Sequence, residues 1–156
     1  MTKRRLLALI SLLLIVVMSL ALLWPHSLLC GIETEVKSIS VVIVRDDFEH
    51  TEDTYRFNAG EPMFDQIISI IDRYSYHYSL NTIIKGVKNS ISLKGNNAGY
   101  WLNIYLYTEP NCYGDCYRII SGGTGEVIVD DGVYRIGYIG NKKQLEFMSN
   151  ICNIVQ

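Results

Sequence analysis

The chain has 156 residues, enough for one folded domain with a modest core and too few for two ordinary ones. Its formal charge is −2, but past Arg5 eleven Lys and Arg stand against sixteen Asp and Glu, a formal −5 for that portion. This balance argues against a nucleic-acid partner, which needs a basic surface to displace counterions from phosphate.

At the N-terminus Lys3, Arg4 and Arg5 precede an uncharged, almost wholly apolar run from Leu6 to Trp24. As a helix at 1.5 Å per residue the run is roughly 28 Å long, close to the ~30 Å hydrocarbon thickness of a bilayer. Apolar residues fill every face of it, which suits lipid on all sides better than packing on a soluble domain. Residues 6–24 are therefore expected to meet the bilayer as a signal anchor, with the cations holding the N-terminus in the cytoplasm and Trp24 at the outer interface. The expected division is an anchor and short linker over 1–30 and an extracytoplasmic domain over 31–156, giving a single-pass protein of the cell membrane. Two alternatives stay open. Ser19-Leu20-Ala21 offers small residues for cleavage of a signal peptide, which would leave the protein secreted. Cys30 resembles a lipid-modified cysteine, although Leu29 occupies a site that favours a small residue and the apolar run ends six residues earlier. Anchor and signal peptide alike place the remainder in a disulfide-permissive space.

Beyond the anchor, "VKSISVVIVRDD" alternates through Ile39, Val41 and Ile43 and predicts a strand. "RDDFEHTED" reads as a polar turn, and Thr54 to Asn58 returns with Tyr55 and Phe57 on one face, closing a hairpin. Asn58 to Glu61 then leads into a helix with Pro62 in its first turn, where a missing N–H is harmless. Phe64, Ile67, Ile68 and Ile71 form its expected apolar stripe. Ser75 to Ile84 is ambiguous by pattern. Strands are expected near Val87 to Lys94, Tyr100 to Thr108 and Cys116 to Ser121. In "GEVIVDDGVYRIGYIG", Asp131-Gly132 between two β-rich runs predicts another hairpin. Asn141 is placed to cap a last helix through about Asn153, with Leu145, Met148 and Cys152 on one side. The expected fold is α+β: an N-terminal transmembrane helix followed by a mostly antiparallel sheet packed with two helices. This layout of anchor, "VKSISVVIV" strand, "EPMFDQIISIID" helix, aromatic strands and terminal helix resembles small membrane-anchored domains of unknown function from Gram-positive bacteria. The resemblance implies a bacterial membrane protein and carries no site residue with it.

Several residues invite a chemical reading. In "EPNCYGDCYR", Cys112 and Cys116 flank three residues between two strands and are candidates for facing positions across a hairpin, so a structural disulfide is expected. Free thiols remain the other reading. A zinc site is disfavoured, since His26, His50 and His77 are scattered and no second close pair accompanies the cysteines. Cys30 and Cys152 could pair only if the linker lies near the last helix. The acidic turn holding Asp46, Asp47, Glu49, Glu52 and Asp53 does not match the ligand spacing of a calcium loop, so no metal is expected there. "SGGTGEV" lies between strands and lacks the helix N-terminus of a phosphate cradle.

The unusual feature is aromatic: eleven tyrosines and two tryptophans. By strand alternation Trp101, Asn103, Tyr105 and Tyr107 share one face of "GYWLNIYLYTE", while Tyr100, Leu102, Ile104 and Leu106 share the other. One set meets the core. The other is a candidate binding row for a peptide or glycan, because rings supply apolar area with polar tips at low entropic cost; the alternative is a strand covered on both faces, since aromatics favour strands in any case. No nucleophile elbow, zinc-protease helix or triad can be assembled, and no cofactor is implied. The expected role is noncatalytic binding or modulation of a protein, peptide or cell-wall component. An exported hydrolase using Glu109 or Asp115 is the alternative, and a structural subunit of a membrane complex is a third, although the apolar run holds no G-x-x-x-G pair.

Overall fold

In the computed structural model the described residues are 3–30, 32, 35–45, 51–79, 98–130 and 132–156, with the side chains of residues 21 and 22 left aside. The elements run in the order α1 (Lys3–Leu23), β1 (Ser38–Arg45), β2 (Glu52–Asn58), α2 (Pro62–Arg73), β3 (Tyr76–Tyr78), β4 (Tyr100–Tyr107), β5 (Cys116–Ser121), β6 (Glu126–Val129), β7 (Gly132–Ile136) and α3 (Lys142–Val155). A short 3-10 turn, Pro110–Cys112, lies between β4 and β5. The protein is thus α+β. Its seven strands form one sheet in the order β2-β1-β4-β5-β6-β7-β3, with every pairing antiparallel. The strand expected near Val87 to Lys94, the acidic residues 46–50 and His50 lie outside the described residues.

Alternation decides which side of the sheet is dry. Ile39, Val41 and Ile43 of β1 pair with Leu106, Ile104 and Leu102 of β4, and all six are buried. Directly opposed residues of antiparallel strands share a face, so Ile119, Val127, Ile136 and Tyr76 continue this inner face across β5, β6, β7 and β3. Both α2 and α3 cover it, contributing Phe64, Ile67 and Ile71 from one and Phe147, Met148 and Ile151 from the other. Phe147 meets the rings of Tyr74 and Tyr76 edge-on at 5.5 and 6.5 Å, a geometry aromatic quadrupoles favour. Each fully buried aliphatic or aromatic residue contributes about 1.5–3 kcal/mol over its exposed state.

Several expectations need adjusting. In α2 the fourth buried residue is Ile70, with Ile68 only half-buried, because the helix tilts its face toward α3 as well as the sheet. The inner side of α3 is Gln144, Phe147, Met148, Ile151, Cys152 and Val155, and Leu145 is half-buried. Asn141 makes no side-chain cap there; its Nδ2 donates to the Gly123 carbonyl at 2.8 Å. In the β6–β7 hairpin Val129 pairs with Gly132, so Gly132 opens β7; Asp130 in the turn is left-handed, at φ 46°, and Asp131 lies outside the described residues.

Gln144 is the polar pin of this core. Wholly buried, it accepts the Gly125 N–H and donates through Nε2 to Ser121 Oγ at 2.7 Å and the Glu126 carbonyl at 2.6 Å. Each polar atom of the amide is thereby satisfied, which burial requires. The pin fastens α3 to the glycine-rich β5–β6 turn.

The 21 residues of α1 form a helix about 32 Å long at 1.5 Å per residue. Its described apolar residues from Leu6 to Leu20 are all exposed, several beyond 60%, so the domain covers no side of it. Among the described residues no helix is long and apolar enough to cross a membrane. In α1 the unbroken run of described side chains, residues 3–20, opens with three cations. At its other end α1 is clamped to the sheet. The Leu23 carbonyl, one of the last without a helical partner, accepts from His77 Nδ1 at 2.9 Å and from the Tyr138 hydroxyl at 3.3 Å. His26 and Tyr76 then exchange backbone hydrogen bonds of 2.8 and 3.0 Å, adding a bridge to the β3 edge. Leu29 is already in the core.

Candidate functional site

The face of the sheet opposite α2 and α3 carries the aromatic row. Trp101, Asn103, Tyr105 and Tyr107 project there from β4, all half-buried, while Leu102, Ile104 and Leu106 between them are fully buried on the inner face. Register supplies their neighbours. Tyr105 lies between Ser40 and Arg118, and Ser40 in turn opposes Arg56. Asn103 lies between Val42 and Ile120, with Thr54 beyond Val42. Tyr107 lies between Ser38 and Cys116. The result is a shallow band of rings and half-buried aliphatics with an exposed arginine on either side, neither in an ion pair among the described residues. Three strand spacings separate β2 from β5, so the arginines stand about 14 Å apart at their backbones.

Two features set the ends of the band. Next to Trp101 the chain has Gly122, where an added Cβ would sit 2.0 Å from the indole. The glycine lets the ring lie flat on the backbone of the neighbouring strand. At the other end the 3-10 turn folds over Ser38: Cys112 N donates to Ser38 Oγ at 2.8 Å, Ser38 Oγ donates to the Glu109 carbonyl at 2.6 Å, and Asn111 N donates to Asn58 Oδ1 at 2.8 Å. These bonds hold Asn111 and Cys112 at φ 63° and 60°, a left-handed conformation that costs a non-glycine residue roughly 1–2 kcal/mol.

The rings of Tyr105 and Tyr107 are near parallel at 6.4 Å. Burial pushes the Tyr107 hydroxyl above the usual tyrosine range; the Cys116 and Cys112 thiols and Tyr105 add to this, and Arg56 opposes it. Tyr107 therefore presents a neutral hydroxyl to any ligand at physiological pH. The arginines supply the only positive charge on the band among the described residues that line it.

The turn also bears on the cysteines. All four are unpaired in the structure, Cys112 and Cys116 as well as Cys30 and Cys152. The strand pairing places Cys116 opposite Tyr107, and the hairpin closes where Thr108 N donates to the Asp115 carbonyl at 3.2 Å. The left-handed pair at 111 and 112 bends the chain back toward Ser38, so Cys112 does not take the cross-strand position that the spacing suggested. Cys152 lies in α3 beneath Tyr100, and burial raises its thiol.

Glu109 and Asp115 are exposed in this same loop, whereas His26 and His77 sit at the β3 edge, so the structure assembles no carboxylate–histidine site from them. Among the described residues no three His, Cys, Asp or Glu side chains are grouped to hold a metal ion. Arg56 and Arg118 were not legible as site residues, because each acquires its place only through cross-strand register. Compared with protein-family models, curated proteins and solved structures, the chain matches none.

Proposed function

We propose that this is a membrane-anchored binding domain, seated in the bilayer through residues 6–24, that holds its α+β domain outside the cytoplasm and grips an extended peptide or cell-wall strand on the sheet face opposite α2 and α3. The observation that carries the reading is the placement of Trp101, Asn103, Tyr105 and Tyr107 on the face opposite α2 and α3, half-buried between Arg56 and Arg118. Rings of this kind stack on sugar or peptide planes, the Asn103 amide offers both donor and acceptor, and the arginines favour a ligand bearing carboxylates. Membrane seating is supported by the uncharged run from Leu6 to Trp24 and by the bare apolar surface of α1, since an exposed patch of that extent needs a nonaqueous partner. The domain acts by binding, with no catalytic step assigned.

The test is a fluorescence titration of the full chain in lipid nanodiscs, using Trp24→Phe so that Trp101 reports alone. Two probes are used: a chitotetraose and an acidic decapeptide. Binding of either should shift Trp101 emission, and Tyr105→Ala should weaken it about tenfold, equivalent to ~1.4 kcal/mol. Binding that survives Tyr105→Ala and Trp101→Ala unchanged in correctly folded protein removes the aromatic face from the function.

A further inference from the structure

The loop from β7 to α3 reads Gly137-Tyr138-Ile139-Gly140, and both glycines adopt left-handed φ, 80° and 71°. An L side chain is strained at each position, and a Cβ on Gly137 would also press on the Lys143 stem at 3.1 Å. The two glycines thus turn the chain out and back over two residues and leave Ile139 at the tip, 94% exposed. Three contacts hold the tip in place. Arg135 donates through its guanidinium to the Gly140 carbonyl at 3.0 Å, the Tyr138 ring lies on His77 at 4.0 Å, and the Tyr138 hydroxyl donates to the last carbonyl of α1 at 3.3 Å.

A single exposed apolar residue needs no explanation. Here, however, Tyr138 is 61% exposed and Trp24, next in the chain to the carbonyl that Tyr138 holds, is 65% exposed. Three large exposed side chains therefore belong to the two segments that the Tyr138–Leu23 hydrogen bond brings together at the end of an apolar helix that the domain leaves bare. Arg73 and Lys143 line a cleft of about 340 Å³ that adjoins Tyr138, together with Pro25, His77 and Glu146. Aromatic and aliphatic tips with cations close by suit a phospholipid surface, which offers acyl chains and phosphates within a short depth.

We propose that Trp24, Tyr138 and Ile139 form a second lipid-contact surface, which seats the domain on the phospholipid leaflet from which α1 emerges. The inference rests on the membrane reading of α1. It adds that the domain lies against the bilayer through its β7–α3 loop, with Arg73 and Lys143 facing headgroup phosphate. Continuity with α1 selects lipid over a second copy or a partner protein as the occupant.

The experiment uses the full chain in nanodiscs of phosphatidylcholine and phosphatidylglycerol, with and without bromine on the upper acyl chain, and three single-tryptophan proteins. Trp101→Phe leaves Trp24 as the reporter of α1. Adding Ile139→Trp to Trp24→Phe and Trp101→Phe reports the tip. Adding Tyr113→Trp to the same pair reports an exposed ring on the β4–β5 loop and serves as the control. A tip buried about 5–10 Å into the headgroup and acyl boundary should lose at least about a third of its emission in brominated discs, as Trp24 should, while the control stays bright. Quenching of Trp24 without quenching at position 139 overturns the inference and leaves the anchor standing. An unquenched position 139 that is nonetheless shielded from iodide assigns the tip to a protein partner and also overturns it, as does equal quenching at position 113. Loss of quenching at both Trp24 and position 139 removes the anchor reading together with the inference.

Discussion

The fit of Trp101 against Gly122 gives a prediction whose size follows from the geometry. In Gly122→Ala the new methyl would fall 2.0, 2.4 and 2.7 Å from three ring carbons of Trp101, far inside van der Waals contact. The backbone at Gly122 does not have a positive φ, so alanine itself is unstrained there and should gain roughly 0.4–1 kcal/mol by restricting the unfolded chain. The clash opposes this gain, because forcing a ring from its rotamer or shifting a strand costs about 1–3 kcal/mol. The two effects separate in a double-mutant cycle with Trp101→Ala. Alone, Gly122→Ala should destabilise; in the Trp101→Ala background it should stabilise slightly, with a coupling of about 1–3 kcal/mol, equal to the clash. Unfolding by urea, followed by far-UV circular dichroism in detergent micelles, measures all four corners. Additivity within ~0.5 kcal/mol would show that the indole does not rest on Gly122, and the binding face would have to be redrawn without Trp101.

Stability should fall at alkaline pH. Burial, with smaller effects from Tyr74 and Asp72, holds the fully buried Tyr76 hydroxyl well above its ordinary value, so the folded state keeps a proton that the unfolded state gives up near pH 10. The contribution is whole below about pH 10 and declines above it by up to ~1.4 kcal/mol per pH unit; Tyr76→Phe should flatten the decline in urea midpoints taken from pH 9 to 11, and an unaltered slope would refute the assignment. Gln144→Leu strands the buried Gly125 N–H and Ser121 hydroxyl, at about 1–3 kcal/mol each, and should lower the melting temperature by several degrees, whereas a change under ~0.5 kcal/mol would mean water replaces the amide. Maleimide labelling of unreduced protein should modify exposed Cys30 and Cys116 readily and buried Cys152 slowly, its thiol raised by burial. A dependence of Cys116 labelling on prior reduction would restore the disulfide.

Much of the sheet is written in local pattern. The alternation through Ile39, Val41 and Ile43, and through Leu102, Ile104 and Leu106, fixes both the strands and their dry side, because a one-residue slip would expose every one of them. What local pattern does not carry is register between distant strands. Arg56 and Arg118 fall into line with Tyr105, one two strands away and the other directly opposite, only once β2, β1, β4 and β5 are aligned. The cysteine spacing suggests facing positions only on a regular hairpin, whereas Asn111 and Cys112 leave the strand direction through left-handed φ. Gln144 reads as a solvent position in the helical pattern, and its burial follows from unpaired backbone groups in the glycine-rich turn across the core. Glycine at 137 and 140 was a visible signal for the Tyr138-Ile139 tip, but its meaning depends on the end of α1 lying beside it.

The clamp at the end of α1 also removes slack. Only Trp24 and Pro25 separate Leu23, held by His77 and Tyr138, from His26, which is already bonded to β3. A flexible tether of n residues would let a domain wander over roughly 5–6 Å × √n and face any direction. This mount behaves as a lever instead: the sheet keeps one bearing relative to the helix axis, and a pull on the domain reaches α1 as torque rather than being absorbed by a linker.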